Sequence, residues 1–127
     1  MRTSLYLLPP ALLFALALPA QHVDCSKVKE VTTGQCTTYY APNRIKEVRS
    51  YKDGAFDGEW RTYNEKGKLT ATAGYRAGKK HGEWIIWDDS GVKRYQMFYT
   101  DGEKAGLWIR WDESGKEISR KDYSAAP

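Results

Sequence analysis

Residues 75–98 read YRAGKKHGEWIIWDDSGVKRYQMF, and the two flanking blocks of 24 residues, 51–74 and 99–122, repeat the key letters in place. Tyr51, Tyr75, Tyr99 and Tyr123 keep that step. So do Gly54, Gly78 and Gly102; Gly58, Gly82 and Gly106; and Gly67, Gly91 and Gly115. Two aromatic series follow the same interval: Trp60, Trp84 and Trp108, then Tyr63, Trp87 and Trp111. A fixed period of this length marks an array of supersecondary units that bury apolar surface only by stacking on their neighbours. One further step back lie Gly34, Cys36, Tyr39 and Asn43, an eroded first copy.

Within one copy, Ala77-Gly78-Lys79-Lys80-His81-Gly82 reads as a turn with glycine near both ends. Glu83 to Asp88 follows as a strand, rich in aromatic and β-branched residues. Asp88-Asp89-Ser90-Gly91 is a short loop with glycine where positive φ is needed. From Val92 to Tyr99 the residues alternate, with Tyr95, Met97 and Tyr99 on one face and Arg94, Gln96 and Phe98 on the other. Period two is the strand signature, and no window sustains a helical period. The expected fold is all-β: an antiparallel meander of tandem 24-residue β-hairpins in one elongated sheet. Trp60, Trp84 and Trp108 are expected to stack as one ladder and Tyr63, Trp87 and Trp111 as another, on opposite faces because the two series lie three residues apart. The charged last strand, Lys116 to Tyr123, suits an exposed edge.

The placed glycines, aromatics and turns resemble the MORN-variant repeat proteins. Tyr75, Gly78, Gly82, Trp84, Trp87 and Gly91 match the repeat pattern, as do Tyr99, Gly102, Gly106, Trp108, Trp111 and Gly115, with Lys116 after it. Tyr51, Gly54, Gly58, Trp60, Tyr63, Gly67 and Lys68 match it once more. The bacterial group carrying this variant is similar to YwqK-type antitoxins, a resemblance that implies partner binding and toxin neutralisation.

The chain divides by composition into four stretches. Residues 1–20 pair Arg2 with an apolar run, Leu5–Ala20, ending in Leu18-Pro19-Ala20, the pattern of a secretory signal peptide. The run is too short and proline-broken for a spanning helix of about 20 residues. Residues 21–33 form an N-terminal segment, 34–123 the repeat domain, and 124–127 a tail. Export, to the periplasm or beyond the cell, makes a disulfide the expected state of the two cysteines, Cys25 and Cys36. Cys36 also fills the slot held by Trp60 one copy later, and the two readings are compatible. The net charge of +4 comes from interspersed signs, reading as a solvated surface and not as a nucleic-acid footprint.

Catalytic signatures are missing from the sequence, and neither a metal nor a cofactor is expected. His81 has no recurring partner series that would make it a ligand or base. The acidic loops at Asp88 and Asp112 lack calcium-loop spacing and fit turn chemistry. Glu59 and Glu83 share a grid position, but Leu107 replaces them in the next copy, which argues against a carboxylate pair. Two surfaces remain. Trp84, Trp87, Trp108 and Trp111 are a candidate binding ridge, and Arg76, Lys79, Lys80 and His81 a candidate basic turn. The leading expectation is an exported, non-enzymatic module that binds a protein, with an antitoxin- or immunity-like role. The alternative is an envelope module that holds anionic lipid or cell-wall polymer through its basic turns.

Overall fold

The computed structural model describes residues 23–27 and 32–124. The signal-peptide reading falls on residues 1–20, outside the described residues. Among the described residues ten strands form one sheet: β1 (Val23–Asp24), β2 (Gly34–Ala41), β3 (Arg44–Lys52), β4 (Ala55–Phe56), β5 (Gly58–Tyr63), β6 (Leu69–Arg76), β7 (Lys79–Trp87), β8 (Lys93–Thr100), β9 (Glu103–Trp111) and β10 (Glu117–Asp122). Their order across the sheet is β1-β2-β3-β5-β6-β7-β8-β9-β10, with β4 paired to β3. Every neighbouring pair is antiparallel except β1 with β2, which run parallel. The meander expected from the repeat is therefore the fold.

Two kinds of connection alternate, each written in the sequence. Between copies the chain reverses in two residues, Asp53-Gly54, Ala77-Gly78 and Asp101-Gly102, all at positive φ. That is the type I′ geometry whose twist matches the flanking strands. Within copies the reversal is longer, and a side chain caps it. Asp88 Oδ1 accepts from Ser90 N at 3.0 Å and Val92 N at 2.9 Å. Asp112 Oδ1 accepts from Ser114 N and Lys116 N, and Asn64 Oδ1 from Lys66 N and Lys68 N, in the same positions. These are Asx turns, so backbone capping accounts for the acidic loops. Asn43, at φ 64°, holds the slot of Gly67, Gly91 and Gly115 in the first hairpin; asparagine tolerates the left-handed region better than most side chains.

The segment from Ala77 to Gly82 is not one turn. Ala77 and Gly78 alone reverse the chain, and β7 already begins at Lys79. The second glycine serves a bulge instead. Tyr75 faces Lys80 and Ala73 faces Trp84, so four steps on β7 oppose two on β6. Gly82 sits in this bulge at φ 82°. Opposite it, a Cβ on Gly74 would lie 2.0 Å from the His81 carbonyl oxygen, so that close approach requires glycine. The bulge returns the strand to register with Lys80 and Trp84 on the same face, a common way of re-aiming a side chain.

Adjacent copies are pinned turn to bulge. Gly78 N donates to Phe56 O and Gly102 N to Lys80 O, both at 2.8 Å. Beside them, Ala77 N donates to Asp57 Oδ2 at 3.1 Å and Asp101 N to His81 Nδ1 at 3.3 Å. His81 thus does the capping job that Asp57 does one copy earlier. The only described residues buried almost completely are Cys36, Thr37 and Val48, in β2 and β3. Among the described residues from β5 onward no side chain is fully buried, and β10 is exposed throughout. Among the described residues the sheet is a single layer, whose cohesion comes from within the layer.

Candidate functional site

Strand register assigns each side chain to a face. Trp84 lies opposite Ala73 and Met97, Ile86 opposite Ala71 and Tyr95, and Arg110 opposite Tyr95 and Ser119. This side, the ladder face, carries a continuous column of rings. Phe56 meets Tyr51 and Trp60 at 5.1 Å each, and Trp60 meets Tyr75 at 5.6 Å. The column continues Tyr75–Trp84 (5.3 Å), Trp84–Tyr99 (5.3 Å), Tyr99–Trp108 (5.2 Å) and Trp108–Tyr123 (5.1 Å). Tilted and edge-on pairs at these distances are the favourable ones, each contributing about 0.5–1.5 kcal/mol beyond area burial. Burial, with the Tyr99 phenol beside it, pushes the Tyr75 hydroxyl above its ordinary pKa.

The expected tryptophan ladder is therefore a tyrosine–tryptophan ladder. Tryptophans one copy apart sit two strands apart, about 10 Å, beyond ring contact. A tyrosine on the strand between them closes the gap. The second expected ladder does not form: among the described residues no ring contact involves Tyr63, Trp87 or Trp111. Its intervening positions are Leu69, opposite Tyr63, and Lys93, opposite Trp87, neither aromatic. Lys93 Nζ instead lies 5.5 Å over the Trp111 ring, and Arg94 Nε donates to Trp111 O at 3.0 Å. Trp84 and Trp108 share the ladder face while Trp87 and Trp111 share the other, so the four candidate ridge residues form two rows and not one ridge.

Two of the ladder tryptophans are also fixed by hydrogen bonds. Trp84 Nε1 donates to Gly74 O at 2.9 Å and Trp108 Nε1 to Phe98 O at 3.0 Å. In the preceding copy the equivalent carbonyl, Ser50 O, accepts from Asp57 N, and Trp60 Nε1 is buried without a protein partner. The Phe56 ring lies against Trp60 there. One and two copies later, the Phe56 slot is held by Lys80 and Lys104.

Those lysines are the feature the sequence reading missed. Lys80 Nζ sits 4.7 Å from the Trp84 ring centre and 4.9 Å from that of Tyr99. Lys104 Nζ sits 4.7 Å from Trp108 and 5.3 Å from Tyr123. Lys121 Nζ lies 4.9 Å over Tyr123, and the Arg49 guanidinium 5.1 Å over Trp60. Attraction between a cation and the ring quadrupole fixes each charge over the ladder. Burial works against the Arg49 charge, but its hydrogen bonds to Glu47 and Tyr51 outweigh it and hold the pKa above the ordinary arginine value. Signs that alternate along the chain are thus sorted by the pleat. The signal was present in the shared grid slot of Lys80 and Lys104, once the bulge is known to carry that slot to the tryptophan's face.

The four candidate basic-turn residues part company. Arg76 Nη2 binds Asp101 at 2.8 Å, and the Arg76 hydrogen bond holds the Asp101 carboxyl below its ordinary pKa. His81 caps the Asp101 backbone, Lys80 lies over the ladder rings, and Lys79 is exposed at the start of β7. Only Lys79 of the four stands as a plain surface cation.

Cys25 and Cys36 form a disulfide with a Cα–Cα separation of 5.1 Å. Cys36 pairs with Arg49, as Trp60 pairs with Ala73 one copy later, so it occupies the tryptophan slot and bridges at once. The bridge is compatible with an oxidising compartment. Among the described residues no group of three or more His, Cys, Asp or Glu side chains is arranged to hold a metal, and no helix is long and apolar enough to cross a membrane.

The MORN repeat variant family matches residues 56–77 and 80–101, two adjacent copies. The matched segments are the stretch from Phe56 through the Ala77 turn and the stretch from Lys80 through the Asp101 turn. No curated protein and no solved structure matches the chain. The MORN repeat is a general, usually non-catalytic module, consistent with a role in interaction.

Proposed function

We propose that this chain is an exported interaction module whose repeat domain, residues 34–123, binds another protein, with an antitoxin- or immunity-like role. The observation that carries the reading is the single-layer sheet. Aromatic and branched side chains populate both faces of β5–β9, yet the described residues supply no second layer to cover either. Monomeric proteins rarely leave such surface open without a use. Export is supported by the Leu5–Ala20 sequence and by the compatibility of the Cys25–Cys36 bridge with an oxidising compartment; N-terminal sequencing should find a mature chain starting near Gln21. The antitoxin-like role is supported by the resemblance of the repeats.

Photo-crosslinking tests the binding role. A benzophenone amino acid is placed at Ile86 or at Ile85, neighbours that address opposite faces, and the protein is irradiated in extracts of its host. The expected result is one discrete protein adduct, identified by mass spectrometry and abolished by excess unmodified protein. Absence of a competable adduct from both positions contradicts the reading. Adducts to lipid or cell-wall polymer alone transfer it to the envelope-binding alternative.

A further inference from the structure

We propose that the ladder face across β7–β10 is the docking surface, and that it takes a protein presenting an acidic rim around an apolar or aromatic anchor. The inference rests on the interaction-module reading and specifies its partner.

The two faces differ in charge. On strands β3 and β5–β10 the ladder face bears Arg49, Lys80, Lys104, Arg110 and Lys121, and its single acid, Glu47, is engaged by Arg49 at 2.6 Å. Among the described residues, Lys80, Lys104, Arg110 and Lys121 take part in no ion pair. The opposite face mixes its signs: Arg61 pairs with Glu59, Arg94 with Asp88 and Arg120 with Glu117, and Lys79 and Lys93, which among the described residues pair with no acid, share it with Glu83 and Glu103. The ladder face, with one engaged acid against five cations, is left with the greater excess of positive charge, which steers and registers an acidic partner. Lys80 and Lys104 occupy equivalent slots two strands apart, about 10 Å. Their rings already hold them, so less side-chain entropy is lost when carboxylates dock. Phe56 takes the same slot one copy earlier, and the lysine series ends there.

Between the cations the surface is recessed and largely apolar. A hollow of about 250 Å³ lies beside Tyr95, Met97, Trp108, Arg110, Lys121 and Tyr123. Aromatic residues, methionine and arginine are the types enriched in protein interfaces, and a pocket among them suits a buried anchor. Stacking of nucleic-acid bases needs open ring faces. Here the column's faces are occupied by neighbouring rings at 5.1–5.6 Å and by lysine ammonium groups. A protein surface fits better.

The probe is a random copolymer of glutamate and tyrosine, titrated into the full chain at low salt. Poly-glutamate, oligothymidylate and phosphatidylcholine vesicles containing phosphatidylglycerol serve as comparators. Binding should be tightest for the copolymer, and the indole N–H signal of Trp108 should shift while those of Trp87 and Trp111 stay. K80Q/K104Q should weaken it by about tenfold, K80R/K104R should retain it, and K52Q/K79Q, which removes the same charge elsewhere, should change it by less than about twofold. Unfolding midpoints of the variants confirm that each is folded. Equal losses from both glutamine pairs, or tighter binding of oligothymidylate or vesicles, would overturn the proposal. Such an outcome leaves a competable protein adduct at Ile86 or Ile85 intact, so the two readings fail separately.

Discussion

The two faces of the sheet carry aromatic series of identical period and behave differently. On the ladder face Trp60, Tyr75, Trp84, Tyr99, Trp108 and Tyr123 touch in sequence, because alternate strands contribute the missing rungs. On the other face Tyr63, Trp87 and Trp111 recur just as regularly without ring contact, because Leu69 and Lys93 stand between them. Periodicity locates the copies. Contact depends on what the intervening strand supplies. Among the described residues no second sheet backs this layer, and the face with the unbroken column is the one that binds copy to copy.

The largest expected effect separates the faces directly. Trp84→Ala removes two ring contacts and the bond to Gly74 O, and should cost about 3 kcal/mol in equilibrium denaturation. Trp87→Ala should cost less than half as much. Trp108→Ala should fall between them, since only the exposed β10 lies beyond it. Equal losses at 84 and 87 would mean that both faces hold the copies together.

Next comes Gly74→Ala, which should cost about 2 kcal/mol because the new methyl meets the His81 carbonyl and displaces the bulge. By moving Lys80 off the ring, it should also alter the Trp84 fluorescence. Loss of stability without a change at Trp84 would mean that the bulge does not set the lysine's place.

A gain is expected at Ala77, a left-handed non-glycine position at φ 49°. Ala77→Asn should stabilise by about 0.5 kcal/mol, since asparagine suits the first place of a type I′ turn. The smallest effect is acid sensitivity. The Asp101 carboxyl is held below its ordinary 3.8 by its hydrogen bond with Arg76, and Glu117 is lowered likewise by Arg120. A depressed folded-state pKa gives stability that is whole above the ordinary carboxylate range and is lost as pH falls through the folded-state value. Both groups lie at the surface, where solvent screens them, so the acid limb should be shallow, and Asp101→Asn should flatten it further.

Much of this architecture was legible in the sequence. The 24-residue step gave the hairpins, Gly54, Gly78 and Gly102 gave the turns, and Lys116, Arg120 and Lys121 marked the outer edge. Asn43 could be aligned with Gly67 by counting alone. The bulge at Gly82 was not legible, because a glycine there fits a long turn equally well. That one ambiguity hid the rest. With Lys80 and His81 assigned to a turn, nothing placed Lys80 over Trp84 or made His81 a backbone cap. The tyrosine rungs were missed for another reason: Tyr75 and Tyr99 were visible on the grid, but contact across neighbouring strands depends on register, which periodicity alone does not supply.

Paired double-mutant cycles measure whether cohesion runs through one face of the sheet. Trp84→Ala with Tyr99→Ala probes the ladder, and Trp87→Ala with Trp111→Ala probes the other row. A coupling of about 1 kcal/mol is expected for the first pair and none resolvable for the second. Equal couplings, or a larger one between Trp87 and Trp111, would contradict cohesion through one face.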